Sequence, residues 1–389
     1  MRHPHIVSVS WGDHLTFGEG DGRLVTEDAL ARRMDAWRHD LGAGTVYWRL
    51  LRTRLDGRFQ AERGFRHPSA LQAQTVSWDD FQVVPRLAKS RGLRVYLYVS
   101  VFDEGWPLAR PARRAVSYHN AMHWQHTAWQ SRFSAEHQEF VVADRTGRRR
   151  QWGVLCLAEP LVREQFVERF LDLIEPSDFD GLFLCLRSQS KPANTADQFG
   201  FNDRVRHEFL RRYGADIRCD PFDVDTWRAL RGSYLTQFLR ELRSRLTPLG
   251  RCLAVGVPRG DVIGPPFGNM ALEWRQWVRD DLVDELIINQ NSSQCPSMWH
   301  QLWPMHRGHG YTQNYLDGTG LRSLRHQLEC DYAPALSDLP ARLYVARQWN
   351  TRSTNDEMSL RRSPGVDGLV FSSFRHDNPG PLARNDWRA

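Results

Sequence analysis

Short apolar runs of β character alternate with amphipathic helical stretches along the whole of this 389-residue sequence, and few folds accommodate that rhythm. Ile6-Val7-Ser8-Val9-Ser10 reads as a first strand. Thr26 then stands where it can cap a helix carrying Leu30, Met34 and Trp37, whose spacing puts them on one face. Val46 to Leu50 reads as a second strand. Ser77-Trp78-Asp79-Asp80 has the form of a capping box, Pro85 falls early enough in the next helix to be tolerated, and Gly92 stops that helix. Val95 to Val99, Leu182 to Leu186, Cys252 to Val257, Glu285 to Asn289, Leu343 to Ala346 and Leu369 to Ser372 supply strands three to eight. Helices are expected on the stripe Val162, Phe166, Phe170, Ile174, then over Arg204 to Arg212 and Thr226 to Arg245. Tyr311 to Tyr315 is a rival strand near the end.

Eight such repeats in one chain predict a single α/β domain over 1–389, a (β/α)8 barrel. The placement of the extra length agrees. The segments after strands two, three and four are long, with insertions at about 53–76, 103–151 and 187–225. The joints from helix back to strand, such as Ser90-Arg91-Gly92 and Thr247-Pro248-Leu249-Gly250, are short. In a parallel barrel every strand-to-helix loop opens on one face, so this asymmetry builds one elaborate mouth. A doubly wound sheet would want a glycine-rich first turn, and Trp11-Gly12-Asp13-His14 is not one.

The composition removes several functions. No run approaches 18 apolar residues, so no membrane span is expected. The first strand begins almost at the initial Met, with no room for a signal peptide, so the chain as written is expected to be cytoplasmic. The 6 cysteines are scattered without a C-x-x-C pair, three of them in apolar runs, which reads as reduced thiols. The net charge of +6 is spread among interspersed acids, and Arg148-Arg149-Arg150 is the longest basic cluster. That disfavours nucleic acid as a partner while leaving an anionic substrate open. The 15 tryptophans exceed what a core needs, and flat indoles with one polar edge suit stacking on sugar rings.

Residues just past each strand should converge at the mouth. Asp13 follows strand one beside Trp11, and Arg49 closes strand two. Asp103, Glu104 and Trp106 follow strand three, with Trp124 further along that loop. Arg187, Gln189, Asp197 and Asn202 follow strand four, and Arg259 and Asp261 strand five. Asn289 and Asn291 end strand six, Trp349 strand seven, and His376 comes after strand eight. Carboxylates, arginines, amides and indoles on one rim are what an oligosaccharide site requires. Two carboxyl groups act across the glycosidic bond, amides hold hydroxyls, and rings stack. Each carboxylate also has a structural reading: Asp13 and Asp197 as helix caps, Glu104 as a solvated charge, Asp261 in an ion pair with Arg259. Arg49, Arg187 and Arg259 either pair with these acids or clamp a sulfate or uronate. His119, His123, His126 and His137 lack the acidic half of a metal motif and read as a polar-aromatic wall, so no metal and no cofactor is expected.

Several segments together resemble the bacterial glycosyl-hydrolase-like barrel proteins often filed as "family 10 glycosylhydrolase". They are Val99-Ser100-Val101-Phe102-Asp103-Glu104-Gly105, Leu157-Ala158-Glu159-Pro160-Leu161-Val162-Arg163-Glu164 and Asp180-Gly181-Leu182. Phe199-Gly200-Phe201-Asn202 with Arg212-Tyr213-Gly214, Leu235 to Arg243, Leu282-Val283-Asp284-Glu285-Leu286 and Val366-Asp367-Gly368-Leu369 complete the set. The resemblance implies a (β/α)8 fold and action on glycosides. It departs from the pattern at Cys185, where related barrels commonly carry an aspartate within strand four.

The expectation is therefore a glycoside hydrolase acting on an oligo- or polysaccharide, plausibly anionic, with Asp197 and Glu104 as the carboxyl pair and Asp261 and Asp13 in reserve. Arg49, Arg187, Arg259, Gln189, Asn202, Asn289, Asn291 and His376 would bind substrate, and Trp11, Trp106, Trp124 and Trp349 would stack on it. A carbohydrate-binding barrel without turnover, and a uronate lyase with Tyr98 or His376 as base, are the alternatives. Self-association stays open.

Overall fold

In the computed structural model, which describes residues 4–9, 26–49, 78–102, 104, 131–186, 197–258, 260–263, 270–288, 324–347 and 359–372, the eight apolar runs close into one parallel barrel. Its strands are β1 (His5–Val9), β2 (Ala43–Trp48), β3 (Arg94–Ser100), β4 (Gly181–Cys185), β5 (Cys252–Gly256), β6 (Glu285–Ile288), β7 (Arg342–Arg347) and β8 (Gly368–Ser372). Each pairs with its neighbours in sequence, and β8 pairs back onto β1. Several strands begin a residue or more before the apolar run, at Gly181, Arg94, Arg342 and Gly368. Pairing needs only backbone, so glycines and charged residues at the barrel floor join the ladder. At Gly181 a Cβ would lie 2.5 Å from the Cys252 carbonyl oxygen, so that close approach requires glycine.

The helices form for the reasons their ends suggest. Helix α1 (Glu27–Asp40) is capped by Thr26, whose Oγ1 accepts the Ala29 N–H at 3.2 Å, and it buries Leu30, Met34 and Trp37. The cap of α2 (Asp80–Ser90) is Asp79, whose Oδ1 accepts the Phe81 N–H at 2.7 Å; Ser77 lies outside the described residues. Gly92, at φ +64°, turns the chain out of α2 toward β3. Helix α3 (Pro160–Ile174) starts on proline and buries the stripe Val162, Phe166, Phe170, Ile174. Helices α4 (Asp203–Tyr213), α5 (Val224–Leu246) and α6 (Trp274–Arg279) follow. A helical stretch over 324–336 contains a π-helical turn, Leu328–Tyr332.

Two features were not anticipated. Val141–Ala143 and Arg150–Leu155 pair as an antiparallel hairpin inside the long loop after β3. Val262–Ile263 and Met270–Ala271 form a smaller one after β5. Tyr311 to Tyr315 falls outside the described residues.

Alternation along the strands gives two cores. One set of side chains packs between sheet and helices. The inward set, Ile6, Tyr47, Tyr96, Tyr98, Phe183, Cys185, Ala254, Ile287, Tyr344 and Val370, fills the barrel. At its floor Glu285 is buried, with Tyr47 Oη donating at 2.7 Å, Tyr96 Oη at 3.2 Å and Arg94 Nη2 at 2.8 Å. The same floor carries three aspartate latches. Asp180, Asp284 and Asp367 each precede a strand, and their carboxylates accept the N–H of Val95, Leu253 and Leu343 in the strand before, at 2.8, 2.7 and 2.8 Å. Each of these aspartates also donates its own N–H to the carbonyl of that same residue. Among the described residues no helix is long and apolar enough to cross a membrane.

Candidate functional site

At the opposite end of the barrel, the upper inward residues change character. Below, the interior is aromatic. Above, β3 ends in Ser100, β4 in Cys185 and β5 in Gly256, which the register places side by side. Hydroxyl, thiol and hydrogen leave room where bulkier side chains would fill the bore. Arg49, just past β2 and 5% exposed, reaches into this space. Its Nη1 donates to Ser100 Oγ at 2.5 Å, and its guanidinium lies 5.2 Å from the centre of the Tyr98 ring. Tyr98 in turn meets Phe183 edge-on at 4.9 Å. Cys185 is buried, as packing between leucines would require.

Three of the rim carboxylates, Glu104, Asp197 and Asp261, follow a rule not anticipated from sequence: each is held by an arginine of the helical layer behind its own strand. Glu104 is fully buried, with Oε1 2.9 Å from Arg169 Nη2 and Oε2 3.1 Å from Arg169 Nη1, on α3. Asp197 takes Arg228 of α5 through Nε at 3.1 Å and Nη2 at 2.5 Å. Asp261 accepts both Trp274 Nε1 and Arg275 Nη1 of α6 at 2.7 Å on one oxygen.

Two expected roles change in consequence. Glu104 has both oxygens engaged and no exposed surface, so it clips the β3 loop to α3 and does not face a substrate. Asn202 is likewise consumed by structure. Its Oδ1 accepts the Ala143 N–H at 3.1 Å, and its Nδ2 donates to the Val141 and Glu139 carbonyls at 3.1 and 3.3 Å, which bolts the hairpin to the loop after β4. The partner expected for Asp261 was Arg259, which lies outside the described residues; Arg275 fills that place. Asp13, Trp11, Trp106, Trp124, Arg187, Gln189, Asn289, Asn291, Trp349 and His376 also lie outside the described residues.

The loop after β4 is built around two unusual backbones. Asp197 adopts φ +53°, a conformation short polar residues tolerate, while Gly200 adopts φ +120°. A Cβ at Gly200 would lie 2.4 Å from the guanidinium carbon of Arg231, so only glycine lets the loop lie over that buried arginine. Arg231 stacks on Trp227 at 4.9 Å, and burial lowers its pKa to about 10.

Sequence reasoning missed Glu159 as a candidate acid. It occupies the N-cap position of α3 without a side-chain capping bond, on the strand-end face, and is only partly exposed. Burial pushes its carboxyl above the usual carboxylate range, Asp203 and Glu139 push the same way, and Arg204 and Arg163 oppose them. Its carboxyl is thereby held toward the protonated form. The buried Cys156 thiol feels the charges of Glu159 and Arg231, and Arg231 that of Asp197. The Ala-Glu-Pro start of a helix was the signal available in sequence.

Among the described residues no cluster of three or more histidine, cysteine or acidic side chains is arranged to hold a metal ion. His137, of the four histidines noted, contacts Glu139 at 3.2 Å and stacks on Phe140.

No family model and no curated protein sequence matches the chain. Solved structures do match. The catalytic domain of β-amylase from Paenibacillus polymyxa superposes with a TM-score of 0.55 at 9% identity, covering 98% of this chain and 95% of that one. The PgaB (BpsB) glycoside hydrolase domain from Bordetella bronchiseptica gives 0.52 at 14% identity, with 97% and 96% covered. α-L-Fucosidase isoenzyme 2 from Paenibacillus thiaminolyticus gives 0.50 at 12%, covering 96% of this chain and 46% of that one. The class these comparisons and the topology define is the (β/α)8 barrel. At such identities the likeness is one of fold.

Proposed function

We propose that this chain is a glycoside hydrolase that cleaves a polysaccharide bearing anionic groups, with Asp197 and Glu159 as its carboxyl pair and Asp261 in reserve. The observation that carries the reading is the contrast between two partly exposed carboxyls on the loops after β3 and β4. Glu159 is held toward the protonated form a general acid needs, and Asp197 is fixed by a bidentate arginine. Glu159 would protonate the leaving oxygen, and Asp197 would act on the sugar carbon or on its attacking water. Arg49 at the mouth, backed by Ser100 and Tyr98, would bind a carboxylate or sulfate of the sugar bound there. The likeness of fold to a β-amylase domain and a glycoside hydrolase domain supports this choice of chemistry.

A second reading, a uronate lyase, is favoured by one contact: Tyr98, a candidate base, lies beneath the Arg49 guanidinium that would neutralise the uronate. A panel of neutral, uronic and sulfated glycans separates the two. Hydrolysis releases new reducing ends without ultraviolet absorbance, whereas a lyase gives an unsaturated product that absorbs. New reducing ends on an anionic glycan are expected; turnover of none of the panel contradicts both readings.

A further inference from the structure

The hairpin beside the mouth carries three consecutive arginines, Arg148, Arg149 and Arg150. Several other surface arginines pair with acids: Arg211 and Arg212 with Glu208, Arg206 with Asp216, Arg240 with Asp280, Arg245 with Glu168, Arg325 with Glu329. At the hairpin turn Arg148 and Arg149 are exposed; among the described residues neither forms an ion pair within 4 Å, though the Arg149 charge is felt by the Asp144 carboxylate. Arg150 gives one N–H to the Val141 carbonyl and remains partly exposed. Two residues on and on the same face, Trp152 is half-buried.

The turn is held in shape by its backbone. Asp144 Oδ1 accepts the Arg148 and Arg149 N–H groups at 3.0 and 3.1 Å and the Thr146 hydroxyl at 2.8 Å. Partial burial would raise that carboxyl, but these three donors win and hold it below the usual range. Arg145 anchors the turn from below through the Arg218 and Asp220 carbonyls, at 3.1 and 2.8 Å. The strand from 150 to 155 is tied to the strand-end loop of β3, where the Glu104 N–H donates to the Gly153 carbonyl at 3.0 Å. The backbone that carries Arg148, Arg149, Arg150 and the core-packed Trp152 is therefore fixed at the rim of the barrel.

We infer that this hairpin is a second anion-binding surface, outside the mouth, on which a sulfated or uronic polysaccharide lies, with Arg148, Arg149 and Arg150 meeting its anionic groups and Trp152 a sugar face. The substrate is then a polymer long enough to reach from the mouth to the hairpin. The choice of glycan over nucleic acid rests on the carbohydrate reading above, and on a net charge of only +6 over 389 residues.

The test is equilibrium binding of the full chain to heparin, polygalacturonate, dextran and a single-stranded oligothymidylate across a NaCl series. Arg148→Ser/Arg149→Ser is compared with the parent and with Arg148→Lys/Arg149→Lys. Asp144 holds the backbone N–H groups of these residues, so the thermal midpoint should be unchanged. The serine pair should bind at least one of the two acidic glycans about tenfold more weakly, with the salt slope reduced by roughly two counterions. The lysine pair should keep most of the affinity, and dextran should not respond. Equal binding by the serine pair, no binding of either acidic glycan by the parent, or tighter binding of oligothymidylate than of both would overturn the inference. Turnover is not read here. A chain that cleaves no glycan yet loses heparin in the serine pair would keep this surface while ending the hydrolase reading.

Discussion

His5 opens β1 at the barrel floor, where its Nδ1 accepts the Leu369 N–H at 3.0 Å and its ring meets Phe371 edge-on at 5.4 Å. Burial, reinforced by the Arg361 charge, lowers its pKa from 6.5 to about 3. The unfolded chain takes up this proton below about pH 6.5 and the folded chain does not until about pH 3. The stabilisation is therefore complete above pH 6.5 and is lost as pH falls toward 3. Roughly 3–5 kcal/mol rides on that interval. Urea unfolding of the parent and His5→Gln at a series of pH values should show the parent losing stability more steeply across it; parallel curves would refute the assignment. The rim carboxylates Glu104, Asp197 and Asp261 are each held by an arginine. Nothing in their local sequence names those partners, because Arg169, Arg228 and Arg275 stand 65, 31 and 14 positions away.

The eight strands and their helices were legible because periodicity is local: Leu30, Met34 and Trp37 mark α1 whatever surrounds it. Strand starts were less so, since Gly181 and Arg94 join the ladder through backbone alone. The aspartates before β4, β6 and β8 were visible as sequence matches, and the structure gives them a reason. Each supplies a second bond to the edge of the preceding strand where the barrel begins. Asp180→Ala leaves the Val95 N–H without that acceptor, and should cost about 1–3 kcal/mol in chemical denaturation. Asp180→Asn, which retains an acceptor oxygen, should cost less. If alanine and asparagine behave alike and neither destabilises, the latch is decoration. The hairpin at 141–155 was hidden because its turn, Asp144 to Arg149, reads as a charge run, and its anchor, Asn202, lies 59 positions from Ala143. The same long-range bonding withdrew Asn202 from the substrate-binding set.

At the scale of the whole molecule the barrel is polarised. Its floor is sealed by Glu285 with two tyrosines and Arg94, together with the aspartate latches, whereas its upper end thins to Ser100, Cys185 and Gly256 beneath a buried arginine. In a (β/α)8 barrel that polarity separates stability from chemistry. The central claim is that Asp197 and Glu159 perform the chemistry at that upper face. The direct measurement is kcat/KM on the best-cleaved glycan for the parent, Asp197→Asn and Glu159→Gln, with Glu104→Gln followed for stability. The first two variants should lose at least about a hundredfold. Glu159→Gln should keep its thermal midpoint, and Asp197→Asn should lose only a little of its own because Arg228 keeps Asp225. Glu159→Gln should abolish the alkaline limb of the pH profile. Glu104→Gln should unfold at lower temperature instead, having left Arg169 with half its partner. Activity within twofold of the parent in both Asp197→Asn and Glu159→Gln would contradict the account.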